Sequence, residues 1–560
     1  MTRVGRVLGT EDATPLDFWV AIEPDAYLQL DDVVALERTL PDGQEVRLYG
    51  LVTEVRARHE GARFDSDVFL IEEGILPAEV SRAARVVATR FEPEIFVPPL
   101  PGTAVRKAVD AERAEALFFD GMQDRLPVGL SRDDEPLYAN LEFLDGSRGA
   151  HVNISGISGV ATKTTYATFL LHSLFGSGAL GQDALNTKAV IYNVKGEDLL
   201  FLDRANQKLS DEERTRYEAL GLGAEPFSSV ELWSPPRRGN ANAVPDVATR
   251  YDGVRSFFWT VHQFCVDDLL PFLFADAEDD RQQYTIVIQN VMAQLRQADP
   301  AGDGGALIEG CEVRTFKDLA ELIEARVTDE VTAQTWAGRA IGQGTISAFV
   351  RRLFGAVRHV EQMIRGDVAH PEQHRIRRQE QVTVIDIHNL NDRAKRFVVG
   401  VTLRKLFDEK ERAGQSHPLQ FVVLDELNKY APREGSSPIK EILVDVSERG
   451  RSLGIILIGA QQTASEVERR IVANSSLRVV GRLDSAESAR DEYGFLSAVH
   501  RQRATILKPG TMILSQPEIP IPLVTCFPFP AWATRASEAA PPATTATPAG
   551  SPADPFEGLV

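Results

Sequence analysis

A series of short apolar runs, each followed by polar residues, constrains the fold of this 560-residue chain more than any other feature. The runs are rich in β-branched residues, and helical patterns such as RFVVGVTLRKLFDEKERAG separate them. Such runs are typical of a parallel sheet that is covered on both faces. Alternation with helices predicts a doubly wound α/β core. The runs are HVNIS (151–155), KAVIY (188–192), VTVIDIHNL (382–390), LQFVVLDELN (419–428), LGIILIGAQQ (453–462) and LRVVGRLD (477–484).

Composition changes along the chain predict its domain organisation. The first part contains several short β-rich segments separated by turn signals, which favours a small β-barrel. A Pro cluster, VPPLPG, then reads as a linker, and charged helical patterns with loop breakers interrupt the α/β part. The end is rich in Ala, Pro and Thr, which predicts a disordered tail. The predicted segments are a barrel at 1–98, the first part of the core at 99–200, a helical insertion at 201–375, the second part of the core at 376–530 and the tail at 531–560.

The formal net charge of −20 disfavours nucleic-acid binding over the whole surface. It does not exclude a local basic surface, such as the lining of a pore. The three cysteines lie far apart, so neither a zinc knuckle nor a disulfide framework is indicated. No apolar run reaches signal-peptide length at the start or the roughly 20 residues that span a bilayer. We therefore expect a cytoplasmic protein without a membrane segment.

A glycine-containing segment, GISGVATKTT (156–165), lies between a strand pattern and a helix pattern. A phosphate-binding loop needs inward backbone N–H groups, a Lys for the β- and γ-phosphates and a hydroxyl for Mg²⁺. The segment departs from GxxxxGK[ST] because Thr162 occupies the place of the last glycine, so a glycine-containing turn that binds no nucleotide remains an alternative. The candidate phosphate-binding residues are Gly156, Gly159, Val160, Ala161, Thr162, Lys163, Thr164 and Thr165, with Thr164 also a candidate metal ligand.

Later strand ends carry the residues that phosphate chemistry would require. FVVLDE ends in Asp425, a candidate Mg²⁺ ligand, and Glu426, a candidate base for the attacking water. SERGRSLG places Arg449 and Arg451 before the next strand, and either could act on the nucleotide of a neighbouring subunit. Gln461 ends that strand and could hydrogen-bond to the γ-phosphate. The alternatives are a solvated strand end, surface arginines and an ordinary polar strand cap.

Taken in order, these motifs resemble the HerA family of the HerA/FtsK superfamily. LDELNKYAP is similar to that family's Asp-Glu-Ala-His-x-Tyr-Ala-Pro motif, and GRSLGIILIGAQQ to its Gly-Arg-Lys stretch and glutamine-ended strand. The resemblance covers nearly the whole chain except the tail. It implies a RecA-like P-loop NTPase core, ATP and Mg²⁺ as cofactors, a homo-hexamer and duplex DNA in a central channel. It favours Arg451 over Arg449 as the arginine that acts between subunits.

The same resemblance implies a NurA-like nuclease as partner in DNA end resection, or another effector in anti-phage defence, with the barrel as a platform for assembly and docking. KGED (195–198) and HRIRR (374–378) are candidate channel segments. Two other readings stay open. One is a conjugation-type ATPase that pumps DNA, and the other is a ring scaffold with weak or absent ATP turnover, which the irregular loop at Thr162 motivates.

Overall fold

A computed structural model describes residues 3–157, 163–274 and 282–540. The N-terminal part is a closed barrel of antiparallel strands in the order β1-β2-β5-β4-β3-β6. Its interior holds apolar side chains such as Phe18, Val20 and Val105, which confirms the predicted barrel. The elements are β1 Arg3–Val7, β2 Asp17–Ile22, β3 Val33–Thr39, β4 Glu45–Glu60, α1 Asp67–Glu72, β5 Glu79–Glu92 and β6 Ala104–Lys107.

Strand β6 lies beyond the predicted barrel boundary at residue 98. It pairs with β1 on one side and with β3 on the other, so the barrel closes only when β6 is included. The segment VPPLPG is therefore part of the connection between β5 and β6 within the barrel, and not a linker to the next domain.

The α/β core begins after the barrel with two short hairpin strands and then the strand and helix that flank the glycine-containing segment. These elements are α2 Asp110–Ala116, β7 Arg125–Leu130, β8 Pro136–Asn140, β9 Val152–Ser155, α3 Lys163–Gly176 and β10 Lys188–Asn193.

The next part of the chain contains most of the helices that were predicted as an insertion. Its elements are α4 Asp211–Ala219, β11 Val230–Ser234, β12 Val254–Ser256, β13 Trp259–Thr260, α5 Val261–Val266, α6 Gln282–Leu295, β14 Asp299–Pro300, β15 Ala306–Ile308, β16 Cys311–Val313, α7 Phe316–Thr328, α8 Ala333–Trp336, α9 Gln343–Val360 and β17 Ile364–Arg365. Helices α5 to α9 pack with the later core helices in one apolar cluster that includes Phe264, Phe316 and Phe349, whereas Tyr217 of α4 belongs to a second cluster with α3.

The second part of the core supplies the remaining strands. Its elements are β18 Val382–Asp386, α10 Asp392–Ala413, β19 Gln420–Asp425, α11 Leu427–Tyr430, α12 Pro438–Leu453, β20 Ile455–Gln461, α13 Arg469–Ala473, β21 Leu477–Val480, α14 Ser485–Ser488, α15 Ala498–Ala504, β22 Thr511–Ser515 and β23 Leu523–Cys526.

One 12-stranded sheet organises the core, in the order β12-β11-β18-β10-β19-β20-β9-β21-β22-β23-β7-β8. Every neighbouring pair from β12 to β21 is parallel. Every pair from β21 to β8 is antiparallel. Strands β18, β19, β20 and β9 are buried along their whole length. The sheet confirms the predicted α/β class with a RecA-like core.

Two further predicted boundaries differ from the structure. The segment 201–375 was predicted as a helical insertion, yet β11 and β12 within it belong to the large sheet. Both strands are short, contain polar residues and lie near one edge of the sheet. Their apolar pattern is therefore too weak to predict a core strand.

The segment 531–560 was predicted as a disordered tail, and its first residues are packed. Trp532 is fully buried, with ring centroids 5.1 Å from His172 and 5.1 Å from Phe227. Ala533 N–H donates to the carbonyl of Arg204 at 2.8 Å, and Ala540 N–H to the carbonyl of Ala205 at 3.0 Å. The buried Trp532 and these backbone hydrogen bonds hold the stretch in place, and a compositional argument cannot detect either of them. Residues 541–560 lie outside the described part of the chain.

Among the described residues, no helix has both the length and the apolar character needed to cross a membrane.

Replacing Trp532 with Ala should destabilise the core, because the change leaves a large cavity between α3 and the 531–540 segment. Loss of a buried aromatic side chain costs about 3–5 kcal/mol. We expect a clearly lower unfolding midpoint in thermal and denaturant melts. Phe529→Ala is the control, since Phe529 is 40% exposed. Equal effects of the two substitutions would show that the segment is not packed as described.

His151 gives the fold a pH dependence. Burial lowers the pKa of His151 to about 4 from 6.5, and its Nδ1 accepts from Leu457 N–H at 3.0 Å. Between these pH values the unfolded chain binds a proton that the folded chain excludes, so stability falls as pH falls from 6.5 towards 4, by about 3 kcal/mol at most.

His151→Asn keeps an acceptor for Leu457 N–H but cannot titrate. We expect its melting temperature to fall less than that of the wild type between pH 6.5 and 4. His370→Asn is the matched control, because the His370 side chain is 74% exposed, and it should follow the wild-type profile. A wild-type slope in His151→Asn would contradict the assignment.

Candidate nucleotide-binding site

The carboxyl ends of three neighbouring strands meet at one edge of the sheet. Asp425 on β19 is paired with Ala460 on β20, and Gln461 is paired with Ser155 on β9. The glycine-containing segment leaves β9 at this edge, where Gly156 N–H donates to the carbonyl of Gln461 at 3.2 Å. Ligands bind at the carboxyl ends of parallel strands in such sheets. The register therefore brings the predicted segment and the acidic pair together.

Lys163 is the first residue of α3 and is only 5% exposed. Its ammonium donates to the carbonyl of Gly156 at 2.6 Å, which folds the side chain back over the segment. Burial lowers the pKa of Lys163 to about 8, and Lys195 lowers it further, while Asp425 and Glu426 oppose that shift. Lys163 is therefore a buried cation at the start of a helix. The helix N-terminus also stabilises anions, so both favour a negatively charged ligand at this place.

Thr164 and Asp425 form the direct contact between α3 and β19. The Thr164 hydroxyl donates to Asp425 Oδ2 at 2.8 Å. Asp425 is 3% exposed, and its Oδ1 accepts from Glu426 N–H at 2.8 Å. A hydroxyl and a carboxylate at the end of a strand are the hard oxygen ligands that Mg²⁺ prefers. These residues fit a magnesium ion bound to nucleotide phosphates.

Glu426 adopts a left-handed backbone conformation, with φ of 57°. This conformation is uncommon for a residue with a side chain, and such strain occurs at functional sites. Its Oε2 lies 2.8 Å from Lys429 Nζ, and its Oε1 lies 3.7 Å from Lys195 Nζ. The carboxylates of Glu426 and Asp425 therefore both lie close to the ammonium group of Lys195 at the end of β19.

Gln461 is fully buried beneath this edge. Its Nε2 donates to Asn153 Oδ1 at 2.9 Å and to Ser155 Oγ at 3.0 Å, whereas its Oε1 has no hydrogen-bond partner. The amide therefore ties β20 to β9 directly under the segment. Its predicted contact with a γ-phosphate stays a prediction.

The arginines lie at the opposite edge of the sheet. Helix α12 starts after the carboxyl end of β19 and ends at the amino end of β20, so its last turn is remote from the acidic pair. Arg451 Nε donates to the carbonyl of Gly146 at 2.8 Å and its Nη2 to the carbonyl of Ser147. Arg449 is paired with Glu411. Neither arginine joins the site of its own chain.

The other predicted residues fall into two groups. Thr165 is buried in the first turn of α3, and Gly156 begins the segment against Gly481 and Arg482. Gly159, Val160, Ala161 and Thr162 lie outside the described residues.

Motif reasoning missed three neighbours of the site. They are Lys195 on the loop after β10, Lys429 on α11, and the Asn153–Ser155 pair under the segment. The sequence KGED (195–198) follows the strand beside β19, and this position could have signalled the contact of Lys195 with Asp425. HRIRR (374–378) lies before β18, at the amino edge, where Arg378 is paired with Glu409.

The sheet and this constellation form a RecA-like α/β core with a candidate nucleotide-binding site at the carboxyl ends of its strands. No family model matches the chain, and no curated protein matches it. Solved structures with partial similarity include VirB4 of Thermoanaerobacter pseudethanolicus, at 15% identity, TM-score 0.43, and coverage of 72% of this chain and 96% of that chain. The unbound bacterial conjugative coupling protein TrwBdeltaN70 has 11% identity, TM-score 0.45, and coverage of 75% and 94%.

The genome packaging NTPase B204 from Sulfolobus turreted icosahedral virus 2, in complex with ATP-gammaS, has 12% identity, TM-score 0.21, and coverage of 27% of this chain and 70% of that chain.

Thr164→Val should weaken the part of nucleotide binding that depends on Mg²⁺, because the substitution removes one oxygen ligand and the hydrogen bond to Asp425. We expect a loss of about tenfold with Mg²⁺ and little change without it. Titration of a fluorescent ATP analogue with and without Mg²⁺ measures both. Thr168→Val on the same helix is the control, since the Thr168 hydroxyl donates to backbone carbonyls. If Mg²⁺ increased the nucleotide affinity of Thr164→Val as much as that of the wild type, Thr164 would not be a ligand of the ion.

Proposed function

We propose that this chain is an ATP hydrolase that moves duplex DNA through the central channel of a homo-hexamer in the cytoplasm. The observation that carries the proposal is the convergence of Lys163, Thr164, Asp425 and Glu426 at one sheet edge. These residues lie far apart in sequence, and the parallel register is what brings them together.

ATP and Mg²⁺ are the cofactors that suit this set. Lys163 supplies a buried positive charge for the β- and γ-phosphates, and the first turn of α3 adds backbone N–H groups. Thr164 and Asp425 would hold the ion, which when bound neutralises charge on the phosphate oxygens. The tight Thr164–Asp425 contact orients both ligands before the ion binds.

Glu426 would orient the attacking water and take its proton. Its carboxylate is 16% exposed, so water reaches it, and the ammonium of Lys429 at 2.8 Å fixes its direction. The Glu426 carboxylate lies beside that of Asp425, since Lys195 Nζ is 3.7 Å from Glu426 Oε1 and 3.0 Å from Asp425 Oδ2. In this proposal Asp425 binds the ion and Glu426 activates the water.

Arg451 would act on the nucleotide of a neighbouring subunit. Because α12 ends at the amino edge of the sheet, Arg451 is too remote to serve the site of its own chain. An arginine with a fixed, forked charge suits the γ-phosphate, and a ring in which each chain serves the next gives every site such a residue. Gln461 would report the γ-phosphate through its link to Ser155.

The movement of DNA is supported by the motif order shared with the HerA family. Contacts to the phosphate backbone would be independent of sequence and sensitive to salt. Within this class we propose a NurA-like nuclease as partner in DNA end resection and recombinational repair, docked on the barrel.

Glu426→Gln should abolish turnover and keep nucleotide binding, because the amide cannot accept the proton while its shape is preserved. We expect wild-type ATP hydrolysis to rise when duplex DNA is added, and a loss in Glu426→Gln of at least about 100-fold. Release of inorganic phosphate, with and without DNA, measures both effects.

Glu466→Gln is the matched control, because Glu466 contacts Asn428 on α11 at 3.2 Å but lies outside the site. It should keep wild-type turnover. Absence of hydrolysis by the wild type under every condition would overturn the proposal and favour a ring scaffold.

A further inference from the structure

The loop that follows β10 contacts the acidic pair directly. Lys195 Nζ lies 3.0 Å from Asp425 Oδ2, the same oxygen that accepts from the Thr164 hydroxyl. It also lies 3.7 Å from Glu426 Oε1. The Lys195 side chain is 44% exposed whereas that of Asp425 is 3% exposed, so the lysine approaches the buried carboxylate from the open side of the site.

The same loop is anchored at a second place by Glu197. The Glu197 carboxylate accepts hydrogen bonds from Ala248 N–H, from Thr249 N–H at 2.7 Å and from the Thr249 hydroxyl. These two backbone donors belong to the stretch between β11 and β12, which lies outside the site. Lys195 and Glu197 therefore connect the acidic pair to the stretch between β11 and β12.

The turn between the two anchors is also held. Gly196 has a φ of 58°, a left-handed conformation that suits glycine. Its carbonyl accepts from Asn193 Nδ2 at 2.7 Å, and the same amide donates to Asp386 Oδ1 at 2.9 Å. Lys195 and Glu197 therefore lie on either side of one short turn whose backbone is held by Asn193.

We propose that the loop 194–198 couples the acidic pair to the stretch between β11 and β12. Lys195 and a nucleotide-bound divalent cation compete for Asp425 Oδ2. Binding of the cation then detaches Lys195 and weakens the hydrogen bonds of Glu197 to Ala248 and Thr249. The inference rests on the proposed ATP and Mg²⁺ site. It follows from charge, because a divalent cation at Asp425 Oδ2 would repel the ammonium group of Lys195, which lies 3.0 Å from that oxygen. A partly exposed ion pair is weak enough for a divalent cation to displace it.

The first test measures the affinity for Mg²⁺ at a fixed concentration of ADP in Lys195→Met. Removal of a competing cation should tighten Mg²⁺ binding, by about two- to five-fold for a pair of this exposure. Lys429→Met is the matched control, since it removes an ammonium that pairs with Glu426 and not with Asp425. Its effect should be less than half as large. Unchanged or weaker Mg²⁺ binding in Lys195→Met would overturn the proposal.

The second test measures hydrogen exchange of the peptide that contains Ala248 and Thr249. In the wild type, Mg²⁺ and ADP together should speed exchange of these amides, because Glu197 no longer holds them. In Lys195→Met the exchange should already be fast without nucleotide and should not respond to it. A wild-type response in Lys195→Met would overturn the coupling.

The two proposals fail in distinguishable ways. If the wild type binds no Mg²⁺ and ADP, the proposed ATP site is wrong and the coupling falls with it. If the wild type binds them and both Lys195→Met readouts match the wild type, only the coupling is wrong.

Discussion

The in-register parallel pairing of β19, β20 and β9 is the interaction on which the rest of the molecule depends. It places Asp425, Gln461 and Ser155 at one edge, and it leaves the amino edge to the last turn of α12. Since side chains alternate along a strand, a slip of one residue would turn Asp425 away from Thr164 and separate the metal ligands. The hydrogen bonds of Gln461 to Asn153 and Ser155 oppose such a slip between β20 and β9.

Buried polar groups around these strands have consequences for both stability and chemistry. Lys163, Asp425 and Gln461 are each almost completely removed from water, and each bonds to a neighbouring strand, helix or loop. Such contacts cost desolvation, and they define one arrangement of the site. The strained turn at Glu426 and the close packing at Gly454 fit this picture. A Cβ at Gly454 would lie 1.6 Å from the carbonyl oxygen of Ser416, so α12 can end and β20 can begin only with glycine there.

Much of the core could be predicted from the sequence, because its strands are apolar along their whole length and its carboxylates stand at their ends. Lys163, Thr164, Asp425 and Glu426 were found through such local patterns. What could not be predicted depends on long-range contacts. The closure of the barrel by β6, the edge strands β11 and β12, and the packing of Trp532 on His172 all join distant segments. Lys195 was interpreted as part of a candidate channel loop, because its contact with Asp425 depends on the pairing of β10 with β19 and the sequence suggests only that the loop follows a core strand. The roles of Arg451 and Gln461 stay predictions.

The closure of the barrel affects how copies of the chain can associate. Because β6 pairs with β1 as well as with β3, every described barrel strand has a partner on both sides. In the closed part of the barrel, backbone hydrogen bonding to an adjacent copy would therefore require an existing strand pair to open. Beyond that part the β4–β5 hairpin extends further, and among the described residues one edge of β4 at 54–60 has no partner strand. The large sheet differs, since it ends in β12 at one side and β8 at the other. An unpaired strand edge is a template for pairing with another chain, and β12 spans only Val254–Ser256. The closed part of each barrel is thus expected to meet a neighbouring copy through side chains, which lets the two shift relative to one another without breaking a backbone ladder.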